Sequence, residues 1–188
     1  MRVLLLIDLQ KDFIDGALGS AEAQAIIPRV VEKLNNYEDK RNTLVLYTKD
    51  THYDNYMDTL EGKMLPVPHC IENTPGWSIN KDIERAVRSN SFLTYSSDKI
   101  INSRVYKNTF GSDDLRDFFL KFKDKIDEVE FVGLCTDICV ISNVLMCRQT
   151  LPDTKIVVDA SCCAGVTPDK HKAALEVMKS CQIEVIGE

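Results

Sequence analysis

Val129-Glu130-Phe131-Val132-Gly133-Leu134-Cys135-Thr136-Asp137-Ile138-Cys139-Val140 reads as a short apolar strand that stops at a glycine and turns directly into a helix, with Cys139 on that helix's first turn. Backbone N–H groups at a helix start lack internal partners and carry the positive end of the dipole. A thiol there is expected to lean toward thiolate, and an oxyanion finds donors close by. The strand-into-helix reading also sets the fold class, because the same pattern recurs along the chain.

Arg2–Ile7 is a continuous apolar run, the pattern of a strand covered on both faces, and it ends at Asp8. Ala21–Tyr37 has helical spacing with Ser20 as N-cap and Pro28 as an interruption, and Thr43–Thr48 is the next strand. Asp50 to Trp77 is rich in turn formers (Gly62, Pro66, Pro68, Pro75, Gly76) and reads as a long loop, which in a compact domain is usually functional. After it come a helix around Lys81–Asn90, a short strand ending in Val105-Tyr106-Lys107, and a helix from Ser112 to about Lys125. The cysteine strand follows with its helix to about Gln149, then strand Lys155–Ala160, helix Pro168–Ser180 and strand Ile183–Ile186. This alternation predicts an α/β fold, a three-layer α/β/α sandwich around a mostly parallel sheet, built as a single domain over residues 1–188. Ligands of such sheets sit beyond the carboxyl ends of the strands, where Asp8, Asp50, Lys107 and Cys139 all fall.

The 188 residues carry a net charge of −6 and no basic stripe, which argues against a nucleic-acid partner. Met1–Ile7 is followed at once by Asp8, Lys11 and Asp12, so it reads as a core strand and not as a signal sequence or membrane span, and the expected location is cytoplasmic. Seven cysteines, an odd number without framework spacing, are expected to be reduced thiols. Neither Cys162-Cys163 nor the Cys135/Cys139 pair is repeated as a structural zinc site requires. A parallel sheet with exposed edge strands favours self-association into a homo-oligomer, although no segment marks an interface.

Each rim residue has a bland reading beside the chemical one. Cys139 is a small buried hydrophobe or a nucleophile; Asp8 is a cap or a base that removes the thiol proton; Lys107 is a solvated cation or a charge that lowers the thiol pKa. Asp50-Thr51-His52 sets a carboxylate and an imidazole two residues apart, and Glu61 and His69 follow within the same loop. These are hard-to-borderline ligands, and two of the three histidines in the chain lie in this one segment.

Taken together, Ile7-Asp8-Leu9-Gln10-Lys11-Asp12-Phe13, Asp50-Thr51-His52, Pro68-His69-Cys70-Ile71-Glu72-Asn73-Thr74-Pro75-Gly76, Lys107-Asn108-Thr109-Phe110 and Gly133-Leu134-Cys135-Thr136-Asp137-Ile138-Cys139-Val140 make the chain resemble the isochorismatase-like cysteine hydrolases, and among them the nicotinamidases. The resemblance spans nearly the whole chain. It implies Cys139 as nucleophile, Asp8 as general base and Lys107 as third member of a triad. It also implies a cis peptide before Cys135, with the N–H groups of Cys135 and Cys139 as oxyanion donors. One divalent metal is implied at Asp50, His52, His69 and, in some members, a fourth position where Glu61 stands; zinc is the first expectation, and iron or manganese suits the same donors. The implied substrate is a small carboxamide whose ring nitrogen meets the metal, with a place in NAD salvage. Some nicotinamidases carry a tryptophan three residues before the last histidine, where this chain has Pro66. Phe13 is then one wall for the ring, with Leu65, Tyr106, Ile138 and Trp77 as candidates for the others. The competing readings are another amide or vinyl-ether hydrolase on the same scaffold, a metal-only hydrolase, and a non-catalytic binding protein.

Overall fold

The computed structural model describes all 188 residues. Arg2–Ile7 (β1) is buried on both sides because successive side chains point to opposite faces: Val3, Leu5 and Ile7 enter one core, Leu4 and Leu6 the other. Its neighbours are Thr43–Asp50 (β2) and Glu128–Leu134 (β5), both parallel to it. The sheet continues outward through Arg104–Lys107 (β4) on one side and through Lys155–Ala164 (β6) and Glu184–Ile186 (β7) on the other, all parallel. Ile100–Ile101 (β3) pairs antiparallel with β4 and closes the seven-stranded order β3-β4-β2-β1-β5-β6-β7.

Helices cover both faces. Besides the single turn Lys11–Ile14 (α1), the first layer contains Ala21–Asn36 (α2), which buries Ala23, Ile26, Ile27, Val30 and Leu34 at helical spacing. Ser20 caps it by accepting from the Ala23 N–H at 3.0 Å, and Pro28 is accommodated within it. After the short helix Leu60–Met64 (α3) comes Lys81–Arg88 (α4), which joins α2 against the Leu4/Leu6 side. Asp113–Phe122 (α5), Ile141–Thr150 (α6) and Pro168–Ser180 (α7) cover the other face. Pro168 opens α7, where its missing N–H costs nothing, and the Thr167 hydroxyl accepts from Lys170 N–H.

Several boundaries differ from the sequence reading. β2 runs two residues past Thr48, so Asp50 ends the strand, because pairing with β4 continues through Asp50↔Lys107. β6 extends to Ala164 and takes in Cys162 and Cys163. The long segment after β2 is not all loop, since Thr59 caps α3 by accepting from Gly62 N–H. Gly133 is required where it stands: its φ is +130°, and a Cβ there would lie 2.1 Å from the Ile7 carbonyl oxygen. The end of β5 therefore presses directly on the end of β1, immediately before Asp8.

Away from the strand ends, Lys33 on α2 sits 2.6 Å from both Glu130 and Asp159 on the sheet, and Tyr37 donates to Glu130 at 2.7 Å. Burial alone would raise the Asp159 carboxyl, but hydrogen bonds from Lys33 and Ser161 hold it below its ordinary value. A depressed carboxyl stabilises the fold above its unfolded pKa and loses that contribution as pH falls through its folded pKa. Asp159→Asn is expected to cost about 1–2 kcal/mol at pH 7, because the Lys33 ammonium keeps only Glu130. The deficit relative to the parent chain should fade below about pH 4, where Asp159 itself takes a proton. Urea titrations at the two pH values check this; a deficit that grows in acid contradicts it.

Candidate active site

Asp8 leaves β1 with φ 46°, a left-handed conformation that aspartate tolerates better than most residues. Its N–H donates to the Thr48 hydroxyl at 3.0 Å, and that hydroxyl donates back to Asp8 Oδ1 at 2.6 Å. Thr48 and Asp50 share one side of β2, and Asp50 is paired with Lys107 across the strands, so three strand ends deliver their polar groups to one point. Lys107 Nζ lies 2.7 Å from Asp8 Oδ2, 3.4 Å from Asp50 Oδ1 and 3.5 Å from Cys139 Sγ. Asp8 Oδ2 has the lysine charge beside it but no hydrogen bond of good geometry, which leaves a lone pair for another proton.

Water is nearly excluded: Asp8 is fully buried and Cys139 is 6% exposed. Burial pushes the Asp8 carboxyl up, opposed by Lys107. Burial pulls Lys107 down, but Asp8, Cys139 and Asp50 outweigh it and hold the ammonium well above its ordinary value. Burial raises the Cys139 thiol strongly; Lys107 works against that, while Asp8 and Asp50 add to it. The sequence expectation of a thiol leaning toward thiolate is therefore corrected. In the resting site desolvation and two carboxylates outweigh the helix start and the lysine, and the proton stays on sulfur. Asp8 is the adjacent group able to receive it.

Cys139 lies in a wide π-helical turn, Thr136–Val140, which passes without a break into α6. The peptide between Leu134 and Cys135 is cis, as the resemblance implied. Ile138 and Val140 both donate their N–H groups to the Cys135 carbonyl at 3.0 Å, folding the turn around Cys139. Thr136 is held by a 2.7 Å hydrogen bond between its hydroxyl and His171 Nδ1.

Asp50, His52 and His69 form a second cluster beside the first, all buried, with ligand atoms within 4.8 Å of one another. His52 Nε2 is 3.0 Å and His69 Nε2 3.5 Å from Asp50 Oδ2, while Glu61 Oε1 stands 3.7 Å and 3.8 Å from the same two nitrogens. His69 Nδ1 is 2.8 Å from the Val67 carbonyl, which only accepts, so Nδ1 carries the proton and Nε2 offers its lone pair to the cluster. Burial would raise the Asp50 carboxyl, but the adjoining imidazoles of His52 and His69 and the Lys107 charge hold it well below the usual carboxylate range. One carboxylate and two imidazoles converging at this spacing, with a second carboxylate on the open side, fit a divalent cation. Asp50 faces both clusters, through Oδ1 to Lys107 and through Oδ2 to the histidines.

Of the expected ring-wall residues, Phe13 packs edge-on to His69 with ring centroids 5.4 Å apart, and Ile138 immediately precedes Cys139. Leu65 is 38% exposed at the end of α3. Tyr106 and Trp77 are not brought to the thiol: strand alternation turns Tyr106 away from Lys107, and it stacks on Trp77 at 5.7 Å. Lys49 Nζ lies 3.0 Å above the Trp77 ring, and the indole N–H donates to Thr51. Two surface clefts of about 590 and 650 Å³ border α2, β6 and β7 and include none of the residues of the two clusters. Sequence reasoning assigned no role to Thr48 or Gln10. Thr48 has a signal, a polar residue two positions before Asp50 and so on the same face of the strand. Gln10, fully buried, accepts from Asp50 N–H at 2.7 Å and donates to the Asp50 and Trp77 carbonyls.

Compared with known proteins, residues 2–187 match the isochorismatase domain. The nicotinamidase/pyrazinamidase of Mycobacterium tuberculosis is 29% identical over 203 aligned residues, covering 99% of this chain and 98% of that protein. The crystal structure of a nicotinamidase from Bacillus subtilis superposes with a TM-score of 0.76 at 25% identity, covering 98% of each chain. A pyrazinamidase of Pyrococcus horikoshii, solved in complex with zinc, shares the fold with a TM-score of 0.73 at 24% identity, covering 100% of this chain and 99% of that one.

Proposed function

The chain belongs to the isochorismatase family, and from that premise we propose that it is a metal-dependent cysteine amidohydrolase that converts nicotinamide to nicotinate and ammonia. One observation carries the reading: a buried lysine 2.7 Å from a carboxylate and 3.5 Å from a cysteine sulfur, sharing Asp50 with an Asp-His-His cluster. Relatives that bear the name nicotinamidase along nearly their whole length support the substrate class.

In this scheme Asp8 takes the Cys139 proton as sulfur attacks the planar carboxamide carbon, and Lys107 holds the charges of both groups. The oxyanion is received by the N–H groups of Cys135 and Cys139; one such donor is worth about 3 kcal/mol in other enzymes. Asp8 returns the proton to the departing ammonia, leaving a thioester on Cys139, and then draws a proton from the water that cleaves it. Asp50, His52 and His69, with Glu61 at the open side, would hold a divalent cation, zinc first, that orients a ring nitrogen and polarises the substrate. Phe13, Ile138 and Leu65 border the ring, and Pro66 replaces an aromatic wall with a smaller one, leaving room for rings other than nicotinamide. Tyr106 and Trp77 act behind the strands, supporting the loop from the far side. A single catalytic unit over the whole chain, a cytoplasmic setting, self-association and a role in NAD salvage complete the reading. No helix is long and apolar enough to cross a membrane.

Ammonia release from nicotinamide, pyrazinamide and aliphatic amides, with and without chelator, tests the reaction. Nicotinamide or pyrazinamide should be hydrolysed and chelator should suppress it; absence of release from every carboxamide would reject the proposal. His52→Ala and His69→Ala should each weaken metal binding by at least about 100-fold, more than the loss of an outer hydrogen-bond partner causes. Cys139 should remain open to alkylation in both. Metal content by elemental analysis and peptide mapping of the alkylated thiol report the two properties separately.

A further inference from the structure

Asn143 lies one helical turn after Cys139 and is fully buried on α6. Its side-chain Nδ2 donates twice, to the Cys139 carbonyl at 2.7 Å and to the Phe110 carbonyl at 3.0 Å. Phe110 belongs to the segment Lys107-Asn108-Thr109-Phe110 that leaves β4 directly after the lysine. One amide therefore ties the backbone of the sulfur-bearing turn to the backbone that carries the ammonium. Meanwhile Asn143 Oδ1 is buried without a partner. An unmet buried acceptor offsets part of what the two donated bonds contribute, and what remains specific to the amide is that it joins two segments remote in the chain. Other residues of the helix show the ordinary alternative: the Ser142 and Thr150 hydroxyls donate to the carbonyls four residues back, those of Ile138 and Met146.

We propose that Asn143 is a positioning residue that sets the separation of Cys139 and Lys107 by tethering the two segments to each other. The tether matters because Lys107 Nζ reaches Cys139 Sγ at 3.5 Å, the outer edge of a useful contact for a cation that must hold a developing thiolate. No strand pairing joins the turn to the segment after β4, since β2 and β1 stand between β4 and β5 in the sheet. Neither Cys139 nor Phe110, the two residues Asn143 bonds, belongs to the Asp-His-His cluster, so metal content reports separately on whether a substitution disturbs more than the tether.

The inference rests on the hydrolase reading for its kinetic readout, and thiol alkylation supplies a readout that does not. Asn143→Ala removes both tethers, and kcat should fall by about 30- to 100-fold, the scale of a misplacement near 1 Å, with KM within about 3-fold of the parent. Asn143→Ser keeps a hydroxyl able to bond back to the Cys139 carbonyl but cannot reach Phe110, so it breaks the tether as well and kcat should fall about as far as in Asn143→Ala. In both variants iodoacetamide should modify Cys139 more slowly at pH 7, with metal content unchanged. A chain that releases no ammonia before mutation sinks the hydrolase reading alone, and slower alkylation of Asn143→Ala still supports the tether. Alkylation at the parent rate in folded Asn143→Ala overturns it, as does kcat within 2-fold of the parent. Loss of kcat and metal together, in proportion to the folded fraction, also overturns it, because it marks a general packing role.

Discussion

Cys139→Ala is expected to abolish ammonia release, by about 10⁴-fold or more, while the protein stays folded and keeps its metal. The size follows from the chemistry. Asp8 and Lys107 act only through a sulfur that attacks carbon, and no other thiol touches Lys107. Alanine removes a single buried atom beyond Cβ, so the change in stability should be small beside the change in rate. The same variant separates two mechanisms. A hydrolase that used only the Asp50, His52 and His69 cluster to activate water would keep much of its turnover, because none of those residues contacts Cys139 by a hydrogen bond. Near-parental ammonia release from Cys139→Ala would reject the thioester route, and elemental analysis of the same sample shows whether the metal remained.

Lys107→Met should be damaging in a second way, through stability. Its ammonium is the cation between Asp8 and Asp50, at 2.7 and 3.4 Å, and its side chain is 1% exposed. Removing one member of a buried pair leaves uncompensated charge and costs about 3–5 kcal/mol. For a chain of this size that is a fall of roughly 10 °C in Tm. The sign of the pH dependence is fixed by Asp8. Burial already raises its carboxyl, and loss of the lysine removes the main opposing charge, so its folded pKa rises further above the unfolded one. A carboxyl raised in the folded state destabilises the fold fully above its folded pKa, and the penalty falls away as pH drops from there to the unfolded pKa. The Tm deficit of Lys107→Met should therefore be largest at neutral and alkaline pH and shrink as pH is lowered toward the range where Asp8 takes a proton. Melting curves at pH 7.5 and 5.5 decide it; an equal deficit at both values would mean that the ion pair is not what the lysine stabilises.

These two substitutions bear on different links of one chain of causes. The strand ends place the groups; burial then sets their charges. Because the thiol rests protonated, reactivity depends on a proton acceptor that is already in place. Asp8 is fixed by Thr48 and has a lone pair without a hydrogen bond. Thr48→Val would remove that support while keeping the shape of the strand.

Alternation of apolar strands and amphipathic helices was readable directly, because a strand buried on both faces must be apolar throughout and a covering helix must repeat every three to four residues. Arg2–Ile7 and Pro168–Ser180 are examples with matching bounds. Asp8, Lys107 and Cys139 were also readable as residues at strand ends, and Asp50, His52, Glu61 and His69 as donors within one segment. What local pattern did not contain was distance. The β3–β4 hairpin, the two added residues of β2 and the turn at Thr136–Val140 depend on partners remote in the chain. The helix start alone points toward thiolate, whereas the influences that raise the thiol, burial and the carboxylates of Asp8 and Asp50, depend on packing with other strands. Tyr106 and Trp77 are candidates for the ring site by position, yet Tyr106 leaves β4 on the face opposite Lys107 and stacks on Trp77 there, a contact between segments remote in the chain. By itself the order of residues determined the layers, the parallel sheet and the identity of the reactive groups, since periodicity and strand ends are local properties. Only the tertiary structure decided which groups touch, which proton stays where, and that Asn143 joins the turn of Cys139 to the segment after Lys107, because contact and desolvation are properties of the packed chain.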